Sequence, residues 1–150
     1  MKVLILAAIS LIGVVSHAQQ VSPVYAEGKA GKKSMKGQFT VQNLGVAPMP
    51  VTIEPRQLVI VDGKGTFGAL QDATVVLKDT SAVVAPRSAR TFDYEVNCPK
   101  ECMVMMLSGM TTGRTREGVT VKLWIPSSVY ACVDTAKNCR ARIKKEAGLE

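Results

Sequence analysis

Four cysteines, seven methionines and a single histidine are the side chains with which this 150-residue sequence could do redox, metal or nucleophilic chemistry. A four-thiolate zinc site needs C-x2-C pairs. Cys98-Pro99-Lys100-Glu101-Cys102 and the gap from Cys132 to Cys139 do not supply them. As disulfides the four cysteines allow three pairings, and the nearest-neighbour one, Cys98 with Cys102 and Cys132 with Cys139, staples two small loops. On the chain-entropy model each such loop contributes roughly 2 to 2.5 kcal/mol. Met103, Met105, Met106 and Met110 could offer soft thioether ligands to Cu(I). A strand alternates its faces, however, so Met106 points away from Met103 and Met105, and core filling is the plainer role. His17 is the only imidazole and falls in a segment read below as removable. Without it, Ser-His-Asp and Cys-His catalysis and histidine metal sites drop out. No local motif proposes a carboxylate pair or a Ser-Lys arrangement in its place. The reading is a non-enzyme with no cofactor and no metal.

That N-terminal segment has the plan of a secretory signal. Lys2 is its positive end, Val3 to Val15 its apolar run and Ser16-His17-Ala18 its small-x-small cleavage site. Residues 1–18 are therefore expected to be removed and the protein exported to the periplasm, where thiols oxidise. The apolar run is too short to span a bilayer and no cysteine follows the cleavage site, so no membrane anchor is expected. Cleavage removes Lys2 and no acid, lowering the formal charge of +7 by one. Lys29, Lys32, Lys33, Lys36 and the run from Arg140 to Lys145 are read as solvated cations. Export and the lack of interleaved aromatics argue against nucleic acid.

The remaining pattern predicts strands. Gln38-Phe39-Thr40-Val41-Gln42 alternates and ends at the turn Asn43-Leu44-Gly45. Val51-Thr52-Ile53, bracketed by Pro48, Pro50 and Pro55, reads as a short edge strand continued by Leu58 to Val61. Ala73 to Leu77, Ala82 to Ala85 and Arg90 to Val96 follow, the last with Phe92, Tyr94 and Val96 on one side. The cysteine turn 98–102 then suggests a hairpin returning through Met103 to Leu107. After a basic loop with Arg114 and Arg116 comes the longest alternation, with Val119, Val121, Leu123 and Ile125 on one face and Thr120, Lys122 and Trp124 on the other. About seven short strands without a credible amphipathic helix predict an all-β, immunoglobulin-like sandwich over residues 19–130. Residues 131–150 are expected to form a disulfide-closed turn, as a hairpin or a helical turn, and a basic C-terminal tail.

Val21-Ser22-Pro23, Gly31, the run Gly37-Gln38-Phe39-Thr40-Val41-Gln42-Asn43-Leu44-Gly45-Val46-Ala47-Pro48 and the late Val119-Thr120-Val121-Lys122-Leu123-Trp124-Ile125-Pro126 together resemble the N-terminal domain of periplasmic pilus-assembly chaperones. These are the PapD-like proteins, and the pattern is also similar to the related major-sperm-protein-like domains. The resemblance implies a chaperone-like module that holds extended segments of pilus or surface-assembly proteins by β-strand addition. It places Lys122 near the family's last-strand lysine, and Tyr25 about where the family has a first-strand arginine. The partner-binding residues are then Val119, Val121, Lys122, Leu123, Trp124 and Ile125, and the partner is a protein. Two further readings are a structural component of a surface or secretion assembly and a methionine-based copper carrier.

Overall fold

A computed structural model describes residues 19–31, 33–111, 120–133 and 139–149. The signal segment, Lys32, Arg114, Arg116 and Val119 lie outside the described residues. Ten strands and one helix follow in order: β1 Gln20–Ser22, β2 Tyr25–Lys29, β3 Met35–Asn43, β4 Met49–Val61, β5 Lys64–Gly68, β6 Thr74–Leu77, β7 Ser81–Val84, β8 Ser88–Asn97, β9 Cys102–Thr111, β10 Lys122–Cys132 and α1 Cys139–Glu146. They form two sheets, β1-β3-β8-β6 and β2-β10-β9-β4-β5, with β7 also on β4. The all-β sandwich expected from the sequence is present, with more strand segments than the seven anticipated because short edge pieces form strands of their own.

The core lies between the sheets and follows the period-2 alternation that makes every second side chain face inward. β3 contributes Phe39 and Val41, β8 contributes Phe92, Tyr94 and Val96, and β4 contributes Val51 and Ile53. From β9 come Val104, Met106 and Met110, and from β10 Val129 and Ala131. Phe39 stacks on Phe92 at 5.5 Å. Tyr94 lies opposite Gly37, where a Cβ would meet the tyrosine hydroxyl at 2.4 Å. The glycine is thus the space the ring fills.

Three expectations change. The Cys98–Cys102 turn does not close a hairpin, because β8 pairs with β3 and β6 while β9 pairs with β4 and β10. Both strands carry an apolar face, broken in β9 by the buried Ser108, and the turn carries the chain from one sheet to the other so that those faces meet across the core. The proline-bracketed segments around residue 53 merge into one long interior strand, β4. Ile53 N–H donates to Thr80 O on the β7 side. Pro55, two residues on, faces the same flank in the gap between β7, which pairs up to Thr52, and β5, which pairs from Gln57. No ladder bond is lost there.

The third change is at the C-terminus, where the basic segment is helical. Its apolar stripe is only Cys139, Ile143 and Ala147, spaced at i, i+4 and i+8, too narrow to announce a helix among so many cations. These side chains cover a second small core with Leu58, Met103, Tyr130 and Cys132 on the outer face of the larger sheet. Ala147 O accepts from Gly65 N at 2.8 Å. Glu101, inside the Cys98–Cys102 turn, accepts from Arg142 Nη2 at 2.8 Å on both carboxylate oxygens. Among the described residues no helix is long and apolar enough to cross a membrane.

Candidate strand-docking edge

The strand carrying most of the expected partner-binding residues has different neighbours along its length. β9 runs antiparallel to β10 from Lys122 to Ala131. On the other flank β2 pairs with it in parallel, but only from Ser128 to Cys132. Val24 O accepts from Ser128 N at 2.9 Å and Pro23 O accepts from the Ser127 hydroxyl at 2.8 Å. Before Ser127 no described strand lies on that flank. The cause is the first strand, which changes sheets: β1 pairs with β3 in the smaller sheet and, after Pro23, β2 pairs with β10 in the larger. Residues 122–126 are therefore a sheet edge inside a strand that is otherwise interior.

Side chains divide by parity. Ile125 packs partly against the main core, in line with Val129 and Ala131. Leu123, one step further out, is 39% exposed, and Val121 is 41% exposed. The apolar inner face thus runs past the end of the sandwich into solvent. Lys122 and Trp124 lie on the outer face. Trp124 sits opposite Gly109 on β9, and a Cβ there would meet Trp124 Cζ3 at 2.7 Å and Lys122 Cε at 2.8 Å. The Lys122 ammonium is 4.3 Å from the indole centroid, a cation–π contact. Trp124 is 43% exposed, so it is a surface residue and not a core one.

Leu123, Trp124 and Ile125 fall in the open segment of β10, with Leu123 and Ile125 on the inner face and Trp124 and Lys122 on the outer one. Tyr25 does not meet Lys122; it pairs opposite Ser128, in the middle of β10. There its ring meets Tyr130 edge-on at 6.4 Å and carries the Arg140 guanidinium at 4.1 Å. Burial raises the pKa of Tyr130 above its ordinary value, with Arg140 pulling the other way. The features missed from sequence are Pro23 and Ser127, which end the open edge. The proline after Ser22 was the available signal for the sheet change.

Both disulfides have the nearest-neighbour pairing, Cys98–Cys102 and Cys132–Cys139. The second fastens α1 to the last residue of β10. The four methionines do not converge: Met103 and Met105 lie under α1, while Met106 and Met110 are in the main core. The copper reading therefore has no common site to stand on. Among the described residues no cluster of His, Cys, Asp and Glu could hold a metal.

No family model and no curated protein matches the sequence. Solved structures match the fold. The CsuC–CsuE chaperone–tip adhesion subunit complex from archaic Csu pili of Acinetobacter baumannii matches at TM-score 0.57 and 12% identity, over 89% of this chain and 62% of that one. The class 5 fimbriae chaperone CfaA matches at TM-score 0.59 and 9% identity, over 77% and 56%. A PapD-like domain of human CEP192 matches at TM-score 0.52 and 8% identity, over 89% of this chain and 98% of that one. The fold is that of a PapD-like, immunoglobulin-like domain. The chain spans 56% to 62% of those two chaperone chains and nearly all of the human domain.

Proposed function

We propose that this protein is a non-enzymatic, periplasmic binding module that holds an extended segment of a pilus or surface-assembly protein by β-strand addition to residues 122–126. The observation that carries the reading is the half-open flank of β10, beside which Leu123 extends the apolar inner face into solvent. A strand added there gains main-chain hydrogen bonds, and its alternate side chains cover Leu123 and Ile125. The chaperone–adhesion subunit complex among the structural neighbours supports a protein partner.

The test is capture of envelope proteins in high salt by the wild type and by a Val121→Asp/Leu123→Asp variant, with hydrogen exchange measured on the complex. Retention by the wild type alone, with Lys122 and Trp124 amides newly protected, is expected. Equal capture by both proteins, or unchanged exchange at those amides, would overturn the reading.

A further inference from the structure

Main-chain groups alternate along a strand as side chains do, and two hydrogen bonds fix the phase of β10. Ser128 N donates to Val24 O, and Cys132 O accepts from Ala30 N, both toward the β2 flank. Even-numbered residues therefore turn their N–H and C=O to that flank and odd-numbered ones to β9. Extended to the open segment, this phase puts Lys122, Trp124 and Pro126 at the edge, while Leu123 and Ile125 are engaged with β9. The edge thus offers two donors, the N–H groups of Lys122 and Trp124. At the third edge-facing position stands a residue with no N–H at all.

We propose that Pro126 is a register stop, so that the segment bound at this edge is one whose strand ends opposite Pro126, at a turn, a proline or a chain terminus. The proposal rests on the strand-docking reading above and deepens it. Two independent features coincide at this point. A partner carbonyl reaching the edge at position 126 finds no donor and stays unpaired, which is costly once desolvated. One residue further, the flank is already filled by Pro23 and Val24, held by the Ser127 hydroxyl and the Ser128 amide. A strand sliding past Pro126 would lose a bond and collide with β2's lead-in. A strand ending before it reaches Trp124 would leave that residue's amide without its partner. The register is set by the edge's own backbone, before any side-chain pocket is considered.

The probe is a series of acetylated, amidated fluorescent peptides of alternating valine and threonine, from about four to nine residues, titrated against the wild type and Pro126→Ala. Wild-type affinity should rise with length until the strand spans 122–126, at about five residues, and then stay level. The alanine variant restores a donor, so peptides long enough to cover position 126 should bind about fivefold tighter than to wild type, and shorter ones equally. Equal affinity of the two proteins for the longer peptides overturns the stop and leaves the docking edge standing. Absence of any binding, with Lys122 and Trp124 amides unperturbed, overturns the docking edge and the stop with it. If Pro126→Ala does not fold, the wild type decides. Peptides interrupted by proline just beyond the residue facing Pro126 should bind as tightly as uninterrupted ones, and a tenfold preference for the uninterrupted form overturns the stop.

Discussion

Replacing Cys132 and Cys139 together by alanine keeps two buried positions apolar and removes the cross-link between β10 and α1 along with two buried sulfur atoms. The loop it closes spans a sequence separation of seven. On the chain-entropy model that loop contributes about 2.5 kcal/mol through the unfolded state. For a chain of this length such a loss corresponds to a fall in Tm of roughly 8 to 10 °C. The loss should also have a local component. A helix of two turns does not stand alone in water, and without the disulfide α1 is held by Ile143 and Ala147 on the second core, by Gly65 N donating to Ala147 O and by Arg142 on Glu101. Amide exchange at Gly65 should accelerate well before exchange at Phe39 or Phe92, which lie in the main core. The assay is near-ultraviolet dichroism through the thermal transition, with exchange measured below it. A Tm within about 2 °C of wild type together with unchanged exchange at Gly65 would refute both the loop-entropy argument and the claim that the disulfide holds the helix.

Other expectations follow from single contacts. Asn43, 2% exposed, donates to Ala47 O and Val84 O and accepts from Gly45 N; Asn43→Ala should cost about 2 to 3 kcal/mol in denaturant unfolding by leaving those groups unpaired. Gln57 Oε1 accepts from the amides of Gln71, Asp72 and Ala73, so Gln57→Leu should cost a similar amount and mobilise that loop in exchange experiments. Gly109→Val drives a side chain into Trp124 and Lys122; because Trp124 is the only tryptophan, its displacement should appear as a red-shifted emission maximum. Tyr94 and Tyr130 both have pKa values raised above 10.0 by burial. Their contribution to stability is full below that value and is lost as pH climbs through the raised folded-state values, so stability should decline in the alkaline range in step with phenolate absorbance.

How much of this could be read from the chain depends on how local the cause is. Phe92, Tyr94 and Val96 face the core because alternation is a property of one strand, and a reader of Arg90 to Val96 needs nothing else. The nearest-neighbour cysteine pairing is of the same kind. The sheet change at Pro23, the through-running of β4 past Pro55 and the crossing of the core at Cys98–Cys102 are not, since each depends on which strand lies alongside. From sequence, proline in a strand reads as an edge mark. Pro55 instead sits in an interior strand, at the gap between two partners, where its flank carries no ladder. Pro126 does lie on an edge, but the strand does not end there. β10 continues to Cys132 because the missing N–H faces away from β9. α1 was hidden for another reason: Cys139, Ile143 and Ala147 gain their apolar surroundings only from Leu58, Met103 and Tyr130, which arrive from three other strands.

An open edge carries a hazard that must be managed for it to be usable. Unpaired backbone beside exposed Leu123 and Trp124 is a template for any extended chain, including a second copy of this one, and proteins blunt such edges with charge, proline and short length. All three devices are present between residues 122 and 128. Lys122 places a cation on the outer face, Pro126 removes a donor, and the return of β2 at Ser128 limits the edge to its first few residues. The same three features set where an added strand can start and stop. Protection against indiscriminate pairing and selection of one register are therefore one physical arrangement. Pro126→Ala should loosen both together: longer peptides should bind more tightly, and the protein alone should show more self-association in sedimentation velocity. A variant that gained peptide affinity with no change in self-association would separate the two and show that another feature guards the edge.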